Sequence, residues 1–186
     1  MAIGVKINLD HAYLLEPDVE HDVADAHFEA RLIGGASCYL KVSISNEDHP
    51  VMRNVYNLAF GPPDRYGRID DYALLRYEAP SRVFSTILQH AIFYLDEFPE
   101  RFVGIDGSTN ARAYLYYRIF QRNYDVLSRY LEIYGIKYYV RITRHGKFQY
   151  DNPFDFDDVS AKLHRIEKGS RVEAASMYNY FVFKKK

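Results

Sequence analysis

Apolar and polar residues alternate along much of the first third of the chain, with the period of two that is typical of half-buried strands. Gly34 and Gly35 separate two of these segments, and their tolerance of positive φ predicts a tight hairpin. Gly61, Pro62 and Pro63 end the last segment. The alternation predicts four strands: one around Ile3, Val5 and Ile7, then residues 27–33, 36–44 and 52–60.

The pattern then changes to the period of a helix. Ser81 is a predicted N-cap and Pro99 cannot continue a helix, so residues 81–98 are predicted to form the main core-packing helix. His90 lies beside the apolar stripe and is predicted to be a solvated or capping histidine. The stripe has i, i+3 and i+4 spacing: Val83, Phe84, Ile87, Leu88, Ala91, Ile92 and Leu95.

A short apolar run, residues 102–106, stops at a small polar turn and restarts with helical spacing, which predicts a strand, a tight turn and a helix. Asn123 is predicted to cap a further helix that ends at Tyr134, before Gly135. Residues 110–134 therefore form a predicted helical hairpin. Its first helix places five residues on one face: Ala111, Tyr114, Leu115, Arg118 and Ile119.

The remaining elements complete a single α+β domain over residues 1–186, with a mainly antiparallel β-sheet packed against the long helix and the helical hairpin nearby. They begin with a loop over residues 64–78, which contains a short strand near 72–75, and a strand over 137–144, after which a hairpin turn at His145-Gly146 returns through Phe148 and Tyr150. A helix then runs from Asp157 or Asp158 through Val159, Leu163 and Ile166 to Gly169, and a final strand covers residues 178–183.

The composition, with 48% hydrophobic and 26% charged residues, is that of a globular domain. No apolar run approaches the roughly 18 residues of a membrane span, and the N-terminus lacks a signal-peptide pattern. The single cysteine, Cys38, excludes an internal disulfide and favours a reducing compartment. We therefore expect a cytoplasmic protein without a membrane partner.

Charged residues and tyrosines are unevenly distributed, although the formal net charge is only −1. Seven acidic residues and no Lys or Arg lie between Asp10 and Glu29, whereas eight Lys or Arg lie between Arg112 and Lys147. This asymmetry favours either binding to a charged partner or neutralisation of the acidic segment by the basic segment within the fold. The chain has 18 tyrosines, and those in the basic segment suit ordinary packing, base stacking or a protein interface.

The turn after residue 106 is the strongest candidate for chemistry. The first N–H groups of a helix lack helical partners, and with the helix dipole they attract an anion. Arg112 adds a positive charge one turn into the helix, but the same pattern suits a plain helix start in which Arg112 pairs with Asp106. The predicted ligand-binding residues are Gly107, Ser108, Thr109, Asn110, Arg112, Tyr116 and Arg118.

Catalytic motifs are weak. The chain has no P-loop, no Gly-x-Ser-x-Gly and no Cys-His pair, and Ser108 has no adjacent base in the sequence. A nucleotidyltransferase is disfavoured because such an enzyme needs an acidic pair shortly after its Gly-Ser turn to hold metal ions. Here Asp155-Phe156-Asp157 comes only much later in the chain.

Metal ligands are not indicated either. His11, His21 and His27 lie among acidic residues without a recognisable ligand spacing, so solvated surface is the favoured interpretation. Asp70 and Asp71 suit either an acid pair or a turn that positions the next residue. We predict neither a cofactor nor a metal, and we rank catalysis below binding.

Four motifs support a resemblance to a known family: Tyr56-Asn57-Leu58-Ala59-Phe60-Gly61, Ile69-Asp70-Asp71, Gly107-Ser108-Thr109-x-Ala111-Arg112 and Leu115-Tyr116. They resemble a family of short uncharacterised bacterial proteins, a domain of unknown function that is common in the Bacteroidetes. The likeness covers residues 28–135 and 181–184. This chain differs from the family in two places. At Ala113 the family members have a longer Arg/Thr-rich helix start, and residues 147–171 resemble a segment added to the family's domain. The resemblance implies the fold and no activity.

Two functions from different classes remain open. The first is a binding module whose turn at residues 107–110, with Arg112 and Arg118, holds the phosphate of a nucleotide or nucleic acid. The second is a protein-interaction module, such as an antitoxin-like regulatory partner, that uses the tyrosine-rich surface and has no small-molecule site.

Overall fold

Eight strands, three α-helices and two short 3-10 helices occur in the part of the chain that the computed structural model describes, residues 4–18, 23–107, 109–142 and 154–186. The elements are β1 (Glu16–Pro17), β2 (Asp25–Arg31), β3 (Ser37–His49), β4 (Met52–Gly61), α1 (Pro80–Glu97), β5 (Phe102–Asp106), α2 (Asn110–Arg122), α3 (Tyr124–Leu127), β6 (Leu131–Ile142), β7 (Phe154–Arg165) and β8 (Tyr180–Lys185). Among these, no helix is long and apolar enough to cross a membrane.

The strands form one sheet in the order β1-β2-β3-β4-β5-β8-β6-β7. Every neighbouring pair is antiparallel except β4 and β5, which are parallel. Parallel neighbours need a long crossover connection, and α1 supplies it. The predicted α+β class with a mainly antiparallel sheet is therefore confirmed.

The predicted hairpin at Gly34 and Gly35 is also confirmed. Both glycines have positive φ angles, 107° and 88°, which a side chain would make strained. The flanking strands β2 and β3 pair in register, with Ala30 opposite Cys38.

Helix α1 covers one face of the sheet and buries the predicted stripe, with Ala91 and Leu95 fully inaccessible. It begins at Pro80, a residue suited to the first helical position, and its N-cap Ala79 makes no side-chain bond. The prediction of Ser81 as N-cap is thus wrong. The prediction for His90 is wrong too, because this side chain is 4% exposed and its Nε2 lies 3.0 Å from the Ala24 carbonyl oxygen.

The predicted first strand is an extended segment that pairs with side chains instead of a neighbouring strand. Val5 and Ile7 are buried as the alternation predicted, whereas Ile3 lies outside the described residues. The Ile7 N–H donates to Asn123 Oδ1 at 2.8 Å, and Asn123 Nδ2 donates to the Val5 carbonyl at 3.1 Å. The N–H of Lys6 donates to Ser81 Oγ at 3.0 Å. The side chains replace a strand ladder, so the strand prediction is wrong.

The strand, turn and helix predicted around residue 107 are present as β5 and α2. The helical hairpin is wrong, because α3 has only four residues and β6 already begins at Leu131. On the predicted face of α2, Ala111, Tyr114 and Arg118 are exposed. The buried residues of α2 are Ala113, Tyr116, Tyr117, Ile119 and Phe120.

Two further predictions fail near the C-terminus and before α1. Residues 154–165 form β7 rather than a helix, and residues 72–75 form no strand. The final strand is confirmed as β8. The hairpin turn predicted at His145-Gly146, with Phe148 and Tyr150, lies outside the described residues.

The tip of the β3–β4 hairpin lies against the sheet face opposite the helices, where His49 contacts two tyrosines. The Val51 N–H donates to His49 Nδ1 at 3.1 Å, so the neutral ring carries its proton on Nε2. That nitrogen lies 3.1 Å from the Tyr138 hydroxyl, and the ring meets the edge of Tyr180 with centroids 5.2 Å apart. The neutral imidazole therefore links the hairpin to β6 and β8.

We expect this link to make the free energy of unfolding decrease as the pH falls below about 6.5, the value of an unperturbed histidine. Burial lowers the pKa of His49 in the folded protein, against the opposing effects of Asp106 and Asp48. Unfolded histidine binds its proton at a higher pH, so the stabilisation is present above that value and is lost as pH falls through the lowered folded pKa. Urea unfolding across this pH range measures the effect. The His49→Gln variant should lose the part of the pH dependence that comes from His49. An identical pH dependence in both proteins would contradict the prediction.

Candidate functional site

A cavity of about 680 Å³ lies at the carboxyl ends of the parallel strands β4 and β5. Ligands bind at this end of parallel strands in open α/β sheets, because the connections leave a crevice there. The volume is within the roughly 300–1,000 Å³ of small-molecule sites. The cavity wall combines β4, β5, residues 62–80, α1 and α2.

The inner wall of the cavity is apolar. Side chains from both parallel strands and both long helices converge there because each element turns its apolar face towards the same core. Such a surface suits the apolar or planar body of an organic molecule. The main apolar residues of the wall are Leu58, Phe60, Leu75, Phe84, Ile105 and Leu115.

The loop between β4 and α1 closes one side of the cavity and is tied to the sheet at both ends. The Asp70 N–H donates to the Pro62 carbonyl at 2.9 Å, and the Ile33 N–H donates to the Arg76 carbonyl at 2.8 Å. A side chain at Gly61 would collide with the Asp70 carbonyl, so the glycine permits this close crossing. The loop thereby holds its polar residues at the cavity.

Tyr116 is the most buried polar side chain of the cavity wall, at 5% exposed. Its ring contacts Phe84 and Phe181 edge-on, with centroids 6.3 and 6.5 Å apart. Its hydroxyl has no hydrogen-bond partner among the described residues. Burial raises the pKa of this phenol, and the nearby Asp106 raises it further while Arg112 opposes the shift. The group therefore stays protonated at neutral pH and can donate a hydrogen bond into the cavity.

Arg112 lies on the same wall, one turn earlier on α2. Its guanidinium carbon is 5.9 Å from the centroid of the Tyr72 ring, which belongs to the loop. The Tyr72 N–H donates to Asp70 Oδ1 at 3.1 Å, so Asp70 positions Tyr72 through a turn, one of the two alternatives drawn from the sequence. Arg112 thus connects the start of α2 to the loop across the cavity.

Carboxylates also surround the polar side of the cavity. Asp70, Asp71 and Asp106 contribute to the wall together with two guanidinium groups, from Arg76 and Arg112. Tyr77 adds a second phenol, and burial raises its pKa to about 12. The polar side can therefore both donate and accept hydrogen bonds, and it carries no excess of positive charge.

The predicted turn itself serves the packing of the strand–helix junction. Gly107 donates its N–H to the Asn179 carbonyl at 2.6 Å, and a side chain there would collide with Ala113. Thr109 is the N-cap of α2, since its Oγ1 accepts the Arg112 N–H at 3.2 Å. One of the N–H groups that the sequence offered to an anion is therefore already paired within the helix start.

The structure brings only two of the predicted ligand-binding residues to the cavity wall, Arg112 and Tyr116. Gly107, Thr109 and Asn110 are outside the wall, and Ser108 lies outside the described residues. Arg118 is exposed, with its guanidinium carbon 5.7 Å from the Tyr114 ring centroid. A ligand role for these five remains a prediction.

Sequence reasoning missed Arg76 and Tyr77, which complete the polar side, and Asn57, which borders the cavity while its Oδ1 accepts the Tyr180 hydroxyl at 3.2 Å. No local motif marks them, because they reach the cavity only through the path of the loop and the strand. In the resemblance, Asn57 and Asp70 did fall within two of the quoted motifs. These motifs were the one sequence signal that pointed to residues of the cavity wall outside α2.

The acidic, histidine-bearing segment near the N-terminus forms ordinary ion pairs. His27 Nδ1 lies 2.7 Å from Asp18 Oδ1, and its Nε2 lies 3.2 Å from Glu16 Oε2. No group of three potential ligands among the described residues is arranged to hold a metal ion. His21 lies outside those residues.

A protein-family model described as a family of unknown function, DUF6934, matches residues 36–156, more than half of the chain. The chain therefore belongs to this family. No curated protein and no solved structure matches it. The match confirms the resemblance to a family of unknown function, whereas the bacterial origin and the Gly-Ser-Thr-x-Ala-Arg string as its motif remain predictions. Apart from Ile33, every residue of the cavity wall lies within the matched part.

Proposed function

We propose that this member of the DUF6934 family binds a small phosphorylated organic molecule, of the nucleoside monophosphate class, in the cavity between β4, β5 and α2. One observation carries the proposal: the Tyr116 phenol and the Arg112 side chain lie on one helix in the wall of a cavity whose inner part is apolar. The Tyr116 phenol can donate a hydrogen bond to a ligand, and a guanidinium group can hold an anion.

The shape and the apolar wall support a ligand with a planar body. Leu58, Phe84 and Leu115 offer contact area for a base, and the volume suits a mononucleotide rather than a polymer. Arg112 provides the charge-assisted contact that a phosphate group requires.

The carboxylates refine the choice of ligand. A phosphate close to Asp70 and Asp71 is favourable only when the same molecule offers donors to those oxygens, as ribose hydroxyls and exocyclic amines do. Three carboxylates beside two guanidinium groups would repel the continuous phosphate backbone of a nucleic acid. This balance favours a mononucleotide over RNA or DNA.

Replacing Arg112 by alanine is expected to weaken binding of a nucleoside monophosphate by roughly tenfold or more, because it removes one charge-assisted contact of about 1.5–3 kcal/mol. Isothermal titration of the four ribonucleoside monophosphates, the matching nucleosides, inorganic phosphate and short RNA and DNA, at two salt concentrations, measures this. Tyr116→Phe removes only the hydroxyl and should cost about two- to tenfold.

Arg122→Ala is the matched control, since it removes the same charge from an exposed position on the same helix, at a residue without a predicted ligand role. Its affinity should equal that of the wild type. If the wild type binds none of these compounds, or if Arg112→Ala unfolds the domain, Arg112 is structural and the proposal is wrong.

The second candidate function is a protein-interaction module, and one observation favours it. The β6–β7 ribbon exposes large apolar side chains, including Tyr139 at 50% and Phe156 at 65%. Such residues are enriched in interfaces. This candidate replaces the first if the cavity binds no small molecule.

A further inference from the structure

Strand β7 stands at the end of the sheet, where its outer edge pairs with no strand among the described residues. At 12 residues it is longer than most strands, which have about five or six. A long edge strand offers its free N–H and C=O groups to another strand. In natural proteins, charged side chains and bulges on edge strands prevent such pairing. The arrangement of the charges on β7 therefore decides which strand can pair with it.

The charges of β7 are ordered by sign along the strand. Its first half carries Asp155, Asp157 and Asp158, and its second half carries Lys162 and Arg165. Small residues occupy the middle. When two copies of this strand run antiparallel about Ser160, the acidic half of each lies beside the basic half of the other. The edge is therefore complementary to itself in this direction, while a parallel arrangement places like charges together.

Some of these charges are balanced within the chain, since Asp158 pairs with Arg141 and Arg165 pairs with Glu132 and Glu167, but within the part of the chain that the structure describes Lys162 is not. Lys137 of β6 stands directly opposite Lys162 of β7, a pair of like charges that destabilises a two-stranded ribbon. Neither ammonium group has an ion-pair partner among the described residues, and the same holds for the carboxylate of Asp157. A second copy would supply a carboxylate next to Lys162.

A bulge in β7 places further groups at the edge. The register with β6 jumps from Val159 to Asp155 in one step, so the three residues between them have no register partner on β6, although the Asp158 carboxylate lies 3.3 Å from Arg141 Nη1. Among these, Phe156 is 65% exposed, and Leu163 in the other half of the strand is 44% exposed. In the antiparallel arrangement about Ser160, each Phe156 stands opposite His164 of the second copy, and each Leu163 stands opposite Asp157.

We infer that β7 is a self-association edge, through which two copies of this chain pair antiparallel about a two-fold axis near Ser160. Each ionic contact between Asp158 and Lys162 then occurs twice, as does each contact between Phe156 and His164. The occupant of the edge is a second copy of the chain.

The test is the mass in solution, measured by light scattering after gel filtration and by sedimentation. The wild type should have twice the 21.8 kDa mass of one chain. Lys162→Glu and the double variant Asp157→Lys/Asp158→Lys each place like charges across the axis, and each should have the mass of one chain. An equimolar mixture of the two variants should regain the doubled mass, because the acidic edge of one now meets the basic edge of the other.

Recovery in the mixture separates loss of the contact from loss of the fold. Lys6→Glu makes the same charge change at an exposed position outside the sheet and should leave the doubled mass unchanged. A wild-type protein with the mass of one chain overturns the inference, and so does a mixture that fails to recover. A dimer that survives both charge variants but dissociates with Ile142→Lys uses the apolar face of the ribbon, which also overturns it.

Discussion

Replacing Phe181 by alanine is expected to lower the free energy of unfolding by about 3–5 kcal/mol, because it removes a large side chain from the centre of the core. Phe181 in β8 is completely inaccessible to solvent. Its ring meets Phe120 with centroids 5.2 Å apart and also contacts Tyr116 and Tyr178. The cavity left behind cannot collapse easily, since these aromatic neighbours belong to a helix and a segment fixed by other contacts.

Urea or thermal unfolding measures this loss, and Phe181→Leu is the matched control. Leucine keeps an apolar branched side chain at the position, so a smaller loss is expected. The two variants also probe the candidate site, because Tyr116 loses an edge contact in Phe181→Ala. Equal losses in both variants, or a loss below about 1 kcal/mol in the alanine variant, would contradict the assigned packing.

The elements with a simple burial pattern were predictable from the sequence. Helix α1 packs one apolar face against one core, so the buried stripe is visible directly in the spacing of residues such as Ile87 and Leu95. The hairpin at Gly34 and Gly35 was equally clear, because positive φ is a local requirement. The strand–turn–helix around Gly107 also follows from local spacing.

The predicted strand from residue 137 is confirmed as part of β6, but residues 131–134 of β6 were assigned to a helix, and the apolar residues on both faces of this strand explain the error. Leu131 and Ile133 pack into the main core, whereas Ile136 packs on the opposite face with Tyr180. A strand buried on both sides loses its alternation and can resemble the end of a helix. Gly135 was taken as a helix stop, but it is a strand residue whose missing side chain leaves room for the Tyr178 ring.

The errors at the two ends of the chain have other causes. In β7 the spacing of Val159, Leu163 and Ile166 imitates a helix, although the first two lie on one strand. In the N-terminal segment the burial of Val5 and Ile7 was predictable, but Asn123 supplies backbone-like hydrogen bonds from far along the chain. No local pattern encodes such a partner.

The candidate site was predictable only in part for the same reason. Arg112 and Tyr116 lie on one helix, so their common face follows from spacing. Asn57 and Tyr77 join them through the sheet order and the path of the loop, which are long-range properties. The sequence therefore indicated one wall of the site and not the cavity.

Replacing Leu88 by alanine is expected to cost about 2–5 kcal/mol of unfolding free energy, the usual range for deleting a buried leucine side chain. Leu88 is 4% exposed at the middle of the α1 stripe, between the buried Ile87 and Ala91. Because α1 is also the crossover between the parallel strands β4 and β5, loosening it disturbs the two strands whose ends form the cavity. Chemical unfolding of the variant gives the loss directly.

Phe93→Ala is the control on the same helix, since Phe93 is larger than Leu88 but 54% exposed. If burial decides the cost, the smaller residue must show the larger effect, and Phe93→Ala should cost less than about 1 kcal/mol. A reversed order would mean that the exposed face of α1 contacts another surface in solution. In that case the energetic centre of the fold would not be the stripe that connects α1 to the sheet.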